Sequence, residues 1–359
     1  MSERLWEWQK LAAQLHKGEA ALLTAKPDQR LMTHFPADDA LVVVAADAAA
    51  LFTDSRYIEA AEKAVEAMEV VLIKKMSDSV REWLAQKGVS RLFVQAADMS
   101  LAAFEGWKAA LPAVELVADD SLDNWLLDLR AVKTPEQVEA IRRAQALTDE
   151  CFSYILPRIT AGRTEREVAL DMEFAMRKAG AEGVAFDFIV VAGENGSLPH
   201  GVPGDRVIQK GDLITMDFGA RVDGWHSDMT RTVAVGDVAD WQREIYETVL
   251  KAQETCLATL KAGITCAAGD AAARDVIAAA GYGAYFGHGT GHGVGLEIHE
   301  APSLSPRGGE RLLRVGEVVT VEPGIYLPGK GGVRIEDMVV ITADGCENLT
   351  KSPKNLIIL

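Results

Sequence analysis

An internal repeat is the strongest constraint on the fold of this chain. The segment GDRVIQKGDLITMD at 204–217 returns as GERLLRVGEVVTVE at 309–322, an offset of 105 residues that aligns Asp217 with Glu322. Upstream, AGRT at 161–164 returns as AGIT at 262–265, and each copy opens a predicted helix that ends at an Ala-Gly pair. Self-similarity of this kind indicates one structural plan used twice. We therefore expect a domain with pseudo-two-fold duplication, whose site would draw matching side chains from both halves.

A smaller domain precedes the duplicated one. Residues 1–125 alternate short apolar runs (41–45, 70–73, 92–94 and 114–117) with helical stretches such as 57–68 and 77–87. That alternation is typical of a small α/β domain. After a polar segment, Thr134 is expected to cap a helix in which Pro135 takes the first position and Gln137 completes a capping box. The predicted fold class is α+β, with an N-terminal α/β domain at 1–125 followed by the duplicated domain at 126–359.

Net charge and cysteine usage narrow the possible partners and compartment. The chain has 53 Asp and Glu against 37 Lys and Arg, a net charge of −16. Such a surface repels phosphate backbones and anionic lipid, so we expect neither nucleic acid nor a membrane as partner. No long apolar run or signal-peptide pattern is present, which predicts a cytoplasmic protein. The cysteines have no paired spacing and are predicted to be reduced, inert thiols: Cys151, Cys256, Cys266 and Cys346.

The first half of the repeat predicts an acidic hairpin. Asp217 ends an apolar run, and the turn signal at 223–224 precedes a predicted strand at 225–233. With the turn centred there, residue 217 lies opposite Thr230. Asp228 is then its diagonal neighbour on the same face, close enough for both carboxylates to reach one metal cluster.

The second half predicts a matching hairpin. Around a loop centred near Gly329, Glu322 lies opposite Glu336, and Arg334 shares their face because strand side chains alternate. Four carboxylates then converge, and burying them together raises their pKa values unless cations compensate. Bound metal explains this arrangement economically, whereas the alternative interpretation is a solvated acidic rim.

Histidines are the remaining candidate donors. The segment GHGTGHGVGLEIHE at 287–300 holds His288, His292 and His299 among five glycines. Glycine lets a backbone approach a cluster closely, and neutral imidazole is a good ligand for divalent transition metals. His200, upstream of the first acidic hairpin, is a fourth candidate. The other histidines are interpreted as structural or surface residues: His16, His34 and His226.

Taken together, these motifs resemble a known family. The ordered set is MDFG (216–219), SDMTRT (227–232), GHGTGHG (287–293), EIHE (297–300), VEPG (321–324) and GVRIED (332–337). It resembles the prolidase and aminopeptidase P branch of the pita-bread metallopeptidases, a fold shared with methionine aminopeptidase and creatinase. The likeness is strong over 133–359, while 1–125 matches a creatinase-type N-terminal domain in size and α/β character. It implies a hydrolase for the Xaa-Pro bond at the N-terminus of short peptides, and a homodimer.

The resemblance also implies a dinuclear metal site. Its ligands would be Asp217 on one ion, Asp228 and Glu336 bridging both, and His292 with Glu322 completing the other. The two divalent ions are expected to be Mn or Co, and Zn or Fe is also compatible with these donors. Together the ions would lower the pKa of a bridging water.

Catalytic roles follow from the same resemblance. Glu322 is implied to take the proton and pass it to the leaving nitrogen, while His299 and His200 hydrogen-bond the substrate and the developing oxyanion. His288 and Arg334 are implied to orient the ligands from behind.

Three other functions stay open from the sequence. A methionine aminopeptidase-like enzyme shares the ligand set but generally lacks a large N-terminal domain. A creatinase-like hydrolase works without metal and lacks the complete ligand set. A non-catalytic homologue would use the same fold as a binding module, against which the intact ligands and accessory histidines argue.

Overall fold

The computed structural model describes residues 6–36 and 38–359. The chain divides into two compact units between Arg130 and Ala131. This division falls at the end of a helix, Ser121–Ala131, that contains the predicted boundary after residue 125 and much of the polar segment before it. None of the described helices is both long and apolar enough to cross a membrane.

The first unit is built on a six-stranded mixed sheet with strand order β4-β3-β2-β1-β5-β6. β2 pairs antiparallel with both β1 and β3, and the other neighbours are parallel. Its strands are β1 (Glu19–Leu23), β2 (Ala40–Ala45), β3 (Ala49–Thr53), β4 (Glu69–Leu72), β5 (Arg91–Val94) and β6 (Glu115–Val117). Its helices are α1 (Glu7–Ala12), α2 (Lys26–Thr33), α3 (Ile58–Ala64), α4 (Met76–Gln86), α5 (Leu101–Ala110) and α6 (Ser121–Ala131).

Most elements of this α/β unit follow the predicted rhythm. The four apolar runs form β2, β4, β5 and β6, and the stretch 77–87 forms α4. The helix predicted at 57–68 is shorter in the structure: α3 ends at Ala64, and Ala67 has a positive φ of 59°. β1 and β3 were not predicted. Both are rich in alanine, which favours helix over strand and gives a weak apolar signal.

Helix pairs open each half of the second unit: α7 (Pro135–Ile155) with α8 (Glu165–Lys178), and α9 (Asp240–Thr259) with α10 (Cys266–Ala279). The predicted capping box is confirmed, since Thr134 and Gln137 each accept the other's backbone N–H. α8 and α10 are both capped by the threonine of the repeated segment and followed by a glycine with φ of 113° and 89° respectively.

Antiparallel sheets follow each helix pair. In the first half the strands are β7 (Gly183–Val184), β8 (Ile189–Ala192), β9 (Leu213–Phe218), β10 (Ala220–Val222), β11 (Trp225–His226) and β12 (Met229–Ala234). In the second half they are β13 (Gly291–Gly293), β14 (Glu300–Leu304), β15 (Val318–Val321), β16 (Gly324–Leu327), β17 (Gly331–Arg334), β18 (Asp337–Ile341) and β19 (Cys346–Asn348). The sheets run β12-β9-β8, β11-β10-β7, β14-β13-β15-β18-β19 and β16-β17. Short 3₁₀ turns occupy Leu156–Arg158, Gly193–Ser197, Gly283–Tyr285 and Pro306–Gly308.

The duplication is visible in matched contacts. Arg206 pairs with Asp212 at 2.7 Å, and 105 residues later Arg311 pairs with Glu317 at 2.6 Å. Each half buries its own apolar cluster between its helix pair and its sheets. The predicted fold class, with a duplicated second domain, is confirmed by this architecture.

A buried arginine joins the two halves. Arg231 on β12 is 1% exposed, and its Nη2 lies 2.8 Å from Oδ1 of Asp337 on β18. The same guanidinium donates to the backbone oxygens of Thr230, Glu336, Ser352 and Pro353. Burying this charge is tolerable because nearly all of its donors are satisfied.

Replacing Arg231 with methionine is expected to lower the free energy of unfolding by about 3 kcal/mol, because the buried Asp337 carboxylate loses this ion pair and keeps that with Lys354, and four backbone oxygens lose a donor. Guanidinium denaturation followed by circular dichroism measures this. The matched control is Arg142→Ala, which removes an exposed pair with Glu347 and should cost no more than about 1 kcal/mol. Equal losses in the two variants would contradict the role given to Arg231.

Candidate metal centre and substrate cleft

The first acidic hairpin has the predicted register. Asp217 pairs with Thr230, and the same register continues through β10 and β11. Asp223 and Gly224 have φ of 49° and 76°, as a two-residue turn with left-handed geometry requires. The predicted continuous strand at 225–233 is wrong in one respect, because it breaks between β11 and β12. The break places Asp228 outside the ladder.

Close backbone approach explains this break. A Cβ on Gly219 would lie 1.8 Å from the backbone oxygen of Ser227, so only glycine fits there. Ser227 also donates its backbone N–H to Ala220 at 2.9 Å, which keeps the two strands together beside the gap. Asp228, directly after this contact, is 4% exposed.

The second hairpin is interrupted at its own acids. The pairs Val321 with Asp337 and Gly324 with Arg334 share one register, which leaves Glu322 and Glu336 facing each other between the two ladders, as predicted. Their backbone N–H groups donate elsewhere. Glu322 donates to Thr290 O at 2.7 Å, and Glu336 donates to Thr230 O at 3.1 Å. Each acid is therefore fixed by a segment outside its hairpin.

The five predicted ligands converge on one place. Asp228, His292 and Glu336 each offer a donor atom within 4.8 Å of the others. Nε2 of His292 lies 3.3 Å from Oε1 of Glu322 and 3.6 Å from Oδ2 of Asp228. Asp217 approaches from β9, and its Coulombic interaction raises the pKa of both Asp228 and Glu336.

Two carboxylate oxygens in this group have no hydrogen-bond partner. They are Oδ1 of Asp217 and Oε1 of Glu336, and both are buried. Buried polar atoms are nearly always satisfied, so two unsatisfied oxygens within one acidic cluster indicate that something positive belongs there. Four carboxylates and one imidazole form a donor set that suits divalent transition metals. The residues therefore fit a metal site.

Electrostatics divides the acids into two kinds. Burial, followed by the nearby charge of Glu336, raises the pKa of Asp228 well above its ordinary value, and burial with the charge of Glu322 does the same for Glu336. Burial also acts to raise the pKa of Glu322, but its hydrogen bond with His292, together with the charges of His292, His288 and Arg334, outweighs burial and lowers that pKa to about 2. Burial opposes the charged form of His292, yet Glu322 raises its pKa. The site is short of positive charge.

A hydrogen-bonded chain supports Asp217 from behind. Arg334 donates through Nη2 to Oδ2 of Asp217 at 2.6 Å and through Nη1 to the Tyr326 hydroxyl at 2.9 Å. Tyr326 lies 2.8 Å from Nε2 of His288, whose Nδ1 lies 2.8 Å from Gly289 O. Burial lowers the pKa of His288, so its ring is neutral and Nε2 accepts a hydrogen bond from the Tyr326 hydroxyl.

Sequence analysis missed three of the supporting residues. Tyr326 is one; it lies on β16, four residues after Glu322. Thr320 accepts the backbone N–H of His292 and donates to Glu322, both at 3.0 Å. Thr230 donates to Glu336 at 2.7 Å and accepts from Arg334 at 3.0 Å. The signal available in advance was only that Thr230 faces Asp217 in the hairpin.

A cleft of about 1020 Å³ opens onto the cluster. His200 and His299 line it, and both are exposed. The His299 ring lies 4.4 Å from the ring of His292. Glu336 is not among the lining residues and is 1% exposed, so it lies beneath the cleft surface. By contrast, His226 is buried with Nδ1 3.1 Å from Gly295 O, a structural position.

Comparison with known proteins gives matches over both units. Residues 139–343 match the model of metallopeptidase family M24, and residues 8–132 match the creatinase/prolidase N-terminal domain. A protein named Xaa-Pro dipeptidase from Pyrococcus furiosus is 41% identical over 322 residues, with 90% of each chain covered.

Solved structures agree with the sequence matches. The structure of an Xaa-Pro dipeptidase from Bacillus anthracis has a TM-score of 0.94 at 40% identity, covering 98% of this chain and 99% of that one. An X-Pro aminopeptidase from Thermotoga maritima MSB8 has a TM-score of 0.92 at 35% identity, covering 97% and 100%. The resemblance inferred from the motifs is confirmed. The chain belongs to metallopeptidase family M24, with an N-terminal domain of the creatinase/prolidase type.

Proposed function

We propose that this protein is a dinuclear metallopeptidase that hydrolyses the Xaa-Pro bond at the N-terminus of short peptides. The observation that carries the proposal is the convergence of four carboxylates and His292 at the base of a cleft, with two buried oxygens unsatisfied. Relatives named Xaa-Pro dipeptidase at about this level of identity over most of the chain support the substrate class. We assign catalysis to the domain that the sequence delimits as 126–359.

The proposed metal ligands are Asp217, Asp228, His292, Glu322 and Glu336. We propose Mn or Co as the ions, with Zn or Fe also compatible with a mixed carboxylate and imidazole set. When bound, such ions polarise the scissile carbonyl and supply hydroxide near neutral pH.

Glu322 is the proposed proton carrier. Its side chain is 15% exposed and lines the cleft, and its pKa of about 2 means that the carboxylate is ionised at neutral pH. An ionised carboxylate facing the substrate can accept a proton and return it to the leaving proline nitrogen. Thr320 donates a hydrogen bond to Oε1 of Glu322, which fixes the orientation of the carboxylate.

His200 and His299 are the proposed substrate contacts. Both residues are exposed and line the cleft; His200 precedes Asp217 in the sequence, and His299 lies between His292 and Glu322. An imidazole N–H aimed at the scissile carbonyl stabilises the charge that develops on its oxygen. His288 and Arg334 act less directly, since their hydrogen bonds run through Tyr326 and Asp217.

Proline explains why a dedicated enzyme is needed. Its nitrogen carries no N–H and its ring fixes the backbone, so peptidases that bind that donor or need an adaptable chain accept it poorly. Four of the proposed metal ligands, Asp217, Asp228, His292 and Glu322, line the cleft, where bound ions would meet a peptide substrate.

We further propose a homodimer that works in the cytoplasm. The four cysteines, three of them buried, suit a reducing compartment. The dimer rests on the N-terminal domain type, and multi-angle light scattering of the purified protein tests it, with a monomeric mass as the contrary result.

Removing metal is expected to abolish cleavage of Ala-Pro, because the ions supply the nucleophile. EDTA treatment followed by dialysis, with Ala-Pro hydrolysis monitored by proline release, measures this. Adding Mn or Co should restore activity. Full turnover by metal-free protein, verified by elemental analysis, would overturn the metal assignment.

Glu322→Gln should lower kcat for Ala-Pro by at least about 100-fold while the protein stays folded, because the amide can neither take up the proton nor replace an anionic ligand. Steady-state kinetics and circular dichroism measure the two effects. Glu310→Gln, an exposed acid of the same half, is the matched control and should keep wild-type kcat. Retained turnover in Glu322→Gln would remove this residue from the mechanism.

A substrate panel separates the proposed activity from its rivals. We expect hydrolysis of Ala-Pro or Ala-Pro-Ala with Mn or Co, and none of creatine or of a Met-initiated peptide without proline. Preference for the Met-initiated peptide would favour a methionine aminopeptidase, and creatine hydrolysis a creatinase. Inactivity on all four with bound metal would favour a non-catalytic binding module.

A further inference from the structure

Two residues on one turn of α10, Asp270 and Arg274, hold the glycine-rich loop that precedes His292. Asp270 is 2% exposed, and its carboxylate accepts from Nε and Nη2 of Arg274 at 2.7 and 2.8 Å. The same carboxylate accepts the backbone N–H of Thr290 at 3.0 Å and its hydroxyl at 2.9 Å. A two-point pair between arginine and carboxylate is geometrically specific as well as strong. We call this pair the α10 clamp.

Arg274 extends the clamp to the preceding residues of the loop. Its Nη1 donates to Phe286 O at 3.0 Å and its Nη2 to His288 O at 2.7 Å. The guanidinium carbon also lies 4.3 Å from the centre of the Phe286 ring. The clamp therefore engages the backbone at residues 286, 288 and 290, on the loop that leads into His292.

Two routes lead from the clamped loop to the proposed metal ligands. Thr290, held by Asp270, accepts the backbone N–H of Glu322 through its carbonyl at 2.7 Å. His288, whose carbonyl Arg274 holds, contacts Tyr326 at 2.8 Å at the start of the chain that reaches Asp217. Neither Asp270 nor Arg274 is a proposed ligand. Asp270 reaches Glu322 through Thr290 alone, whereas Arg274 reaches Asp217 through His288, Tyr326 and Arg334.

The loop needs such an anchor because of its composition. Residues 287, 289 and 291 are glycines, which lose the most conformational freedom when fixed. Close packing demands at least one of them, since a Cβ on Gly291 would lie 2.0 Å from Thr320 O. Precise placement of His292 then depends on contacts outside the loop itself.

The first half of the repeat has no equivalent pair. The positions that correspond to Asp270 and Arg274 in α8 are Ala169 and Glu173. There Glu165 holds the loop instead, by accepting from Ala192 N, Asn195 Nδ2 and Gly204 N at 2.8 to 3.1 Å. The α10 clamp lies in the half that carries His288, His292 and His299. Its place in this half is explained if it serves to position these histidines.

We propose that Asp270 and Arg274 are positioning residues that set the geometry of His292 and Glu322 through the 286–290 loop. The inference rests on the proposed function for its catalytic consequence alone. The placement of the loop can be measured without substrate.

The test compares Arg274→Ala with wild type by hydrogen exchange and by calorimetric titration with Mn²⁺. Amides at 287–292 should exchange at least about tenfold faster in Arg274→Ala, because the hydrogen bonds of the clamp oppose the local opening through which these amides exchange. Mn²⁺ affinity should fall about 10 to 100-fold, as is usual when support behind ligands is lost. The matched control is Arg177→Ala, which breaks the exposed i,i+4 pair with Glu173 on α8 and should change neither value.

Two milder variants guard against a general loss of folding. Arg274→Lys keeps the charge but cannot hold Asp270 and both carbonyls together, and Asp270→Asn keeps an acceptor for Thr290 but loses the two-point pair. Both should stay folded by circular dichroism, exchange faster at 287–292, and lower kcat for Ala-Pro more than they raise KM. Wild-type exchange and Mn²⁺ affinity in both variants would overturn the proposal. If wild type binds none of Mn²⁺, Co²⁺, Zn²⁺ and Fe²⁺, the proposed function fails, and the exchange data still decide the clamp.

Discussion

Repulsion among four buried carboxylates is the constraint on which the rest of this structure depends. Asp217, Asp228, Glu322 and Glu336 share one small volume, and within the described part of the chain Arg334 is the guanidinium that pairs with them. Burial and the neighbouring negative charges raise the pKa values of Asp228 and Glu336, and one oxygen each of Asp217 and Glu336 has no hydrogen-bond partner. Such an arrangement costs folding free energy, so the surrounding fold has to hold the acids in place against it.

The fold does so with strands that are interrupted at three of these four acids. At Asp228, Glu322 and Glu336 the hairpin ladders are interrupted, and the freed backbone groups of the two glutamates bond to neighbouring segments. Each of these two glutamates is thereby held by a second segment, and the hydrogen bond from Glu336 to Thr230 joins the two halves of the duplication at the site. Regular strands would satisfy their own backbone groups and leave the acids attached to a single hairpin. Irregularity at these positions gives the cluster its rigidity.

Sequence reasoning recovered what depends on local periodicity and missed what depends on distant contacts. The hairpin registers follow from the turn at 223–224 and the loop near Gly329, and the helix ends follow from caps and glycines. β1 was not predicted because its alanine-rich sequence, EAALL, has a low propensity for strand and a high one for helix. Tyr326 bonds across 38 residues to His288, and Asp270 across 20 to Thr290; no pattern within a strand or helix marks such pairs. Four of the proposed ligands could be predicted because each half of the duplication carries two acids on one hairpin, although only Asp217 and Glu322 match at the offset of 105 residues.

The departures from ordinary folding rules gather where an ion would remove them. Two orphaned carboxylate oxygens, two raised carboxyl pKa values and the interrupted ladders lie within the same cluster, whereas the buried carboxylate of Glu300 is paired with Lys133 at 3.1 Å. A protein accepts such local conflict when something else compensates for it. Protons can neutralise Asp228 and Glu336, but divalent ions would do so while also satisfying Asp217 and engaging His292 in its neutral form. Because such ions bind the folded arrangement and not the unfolded chain, their binding free energy adds to stability, and the acids that destabilise the empty site become the groups that hold it together.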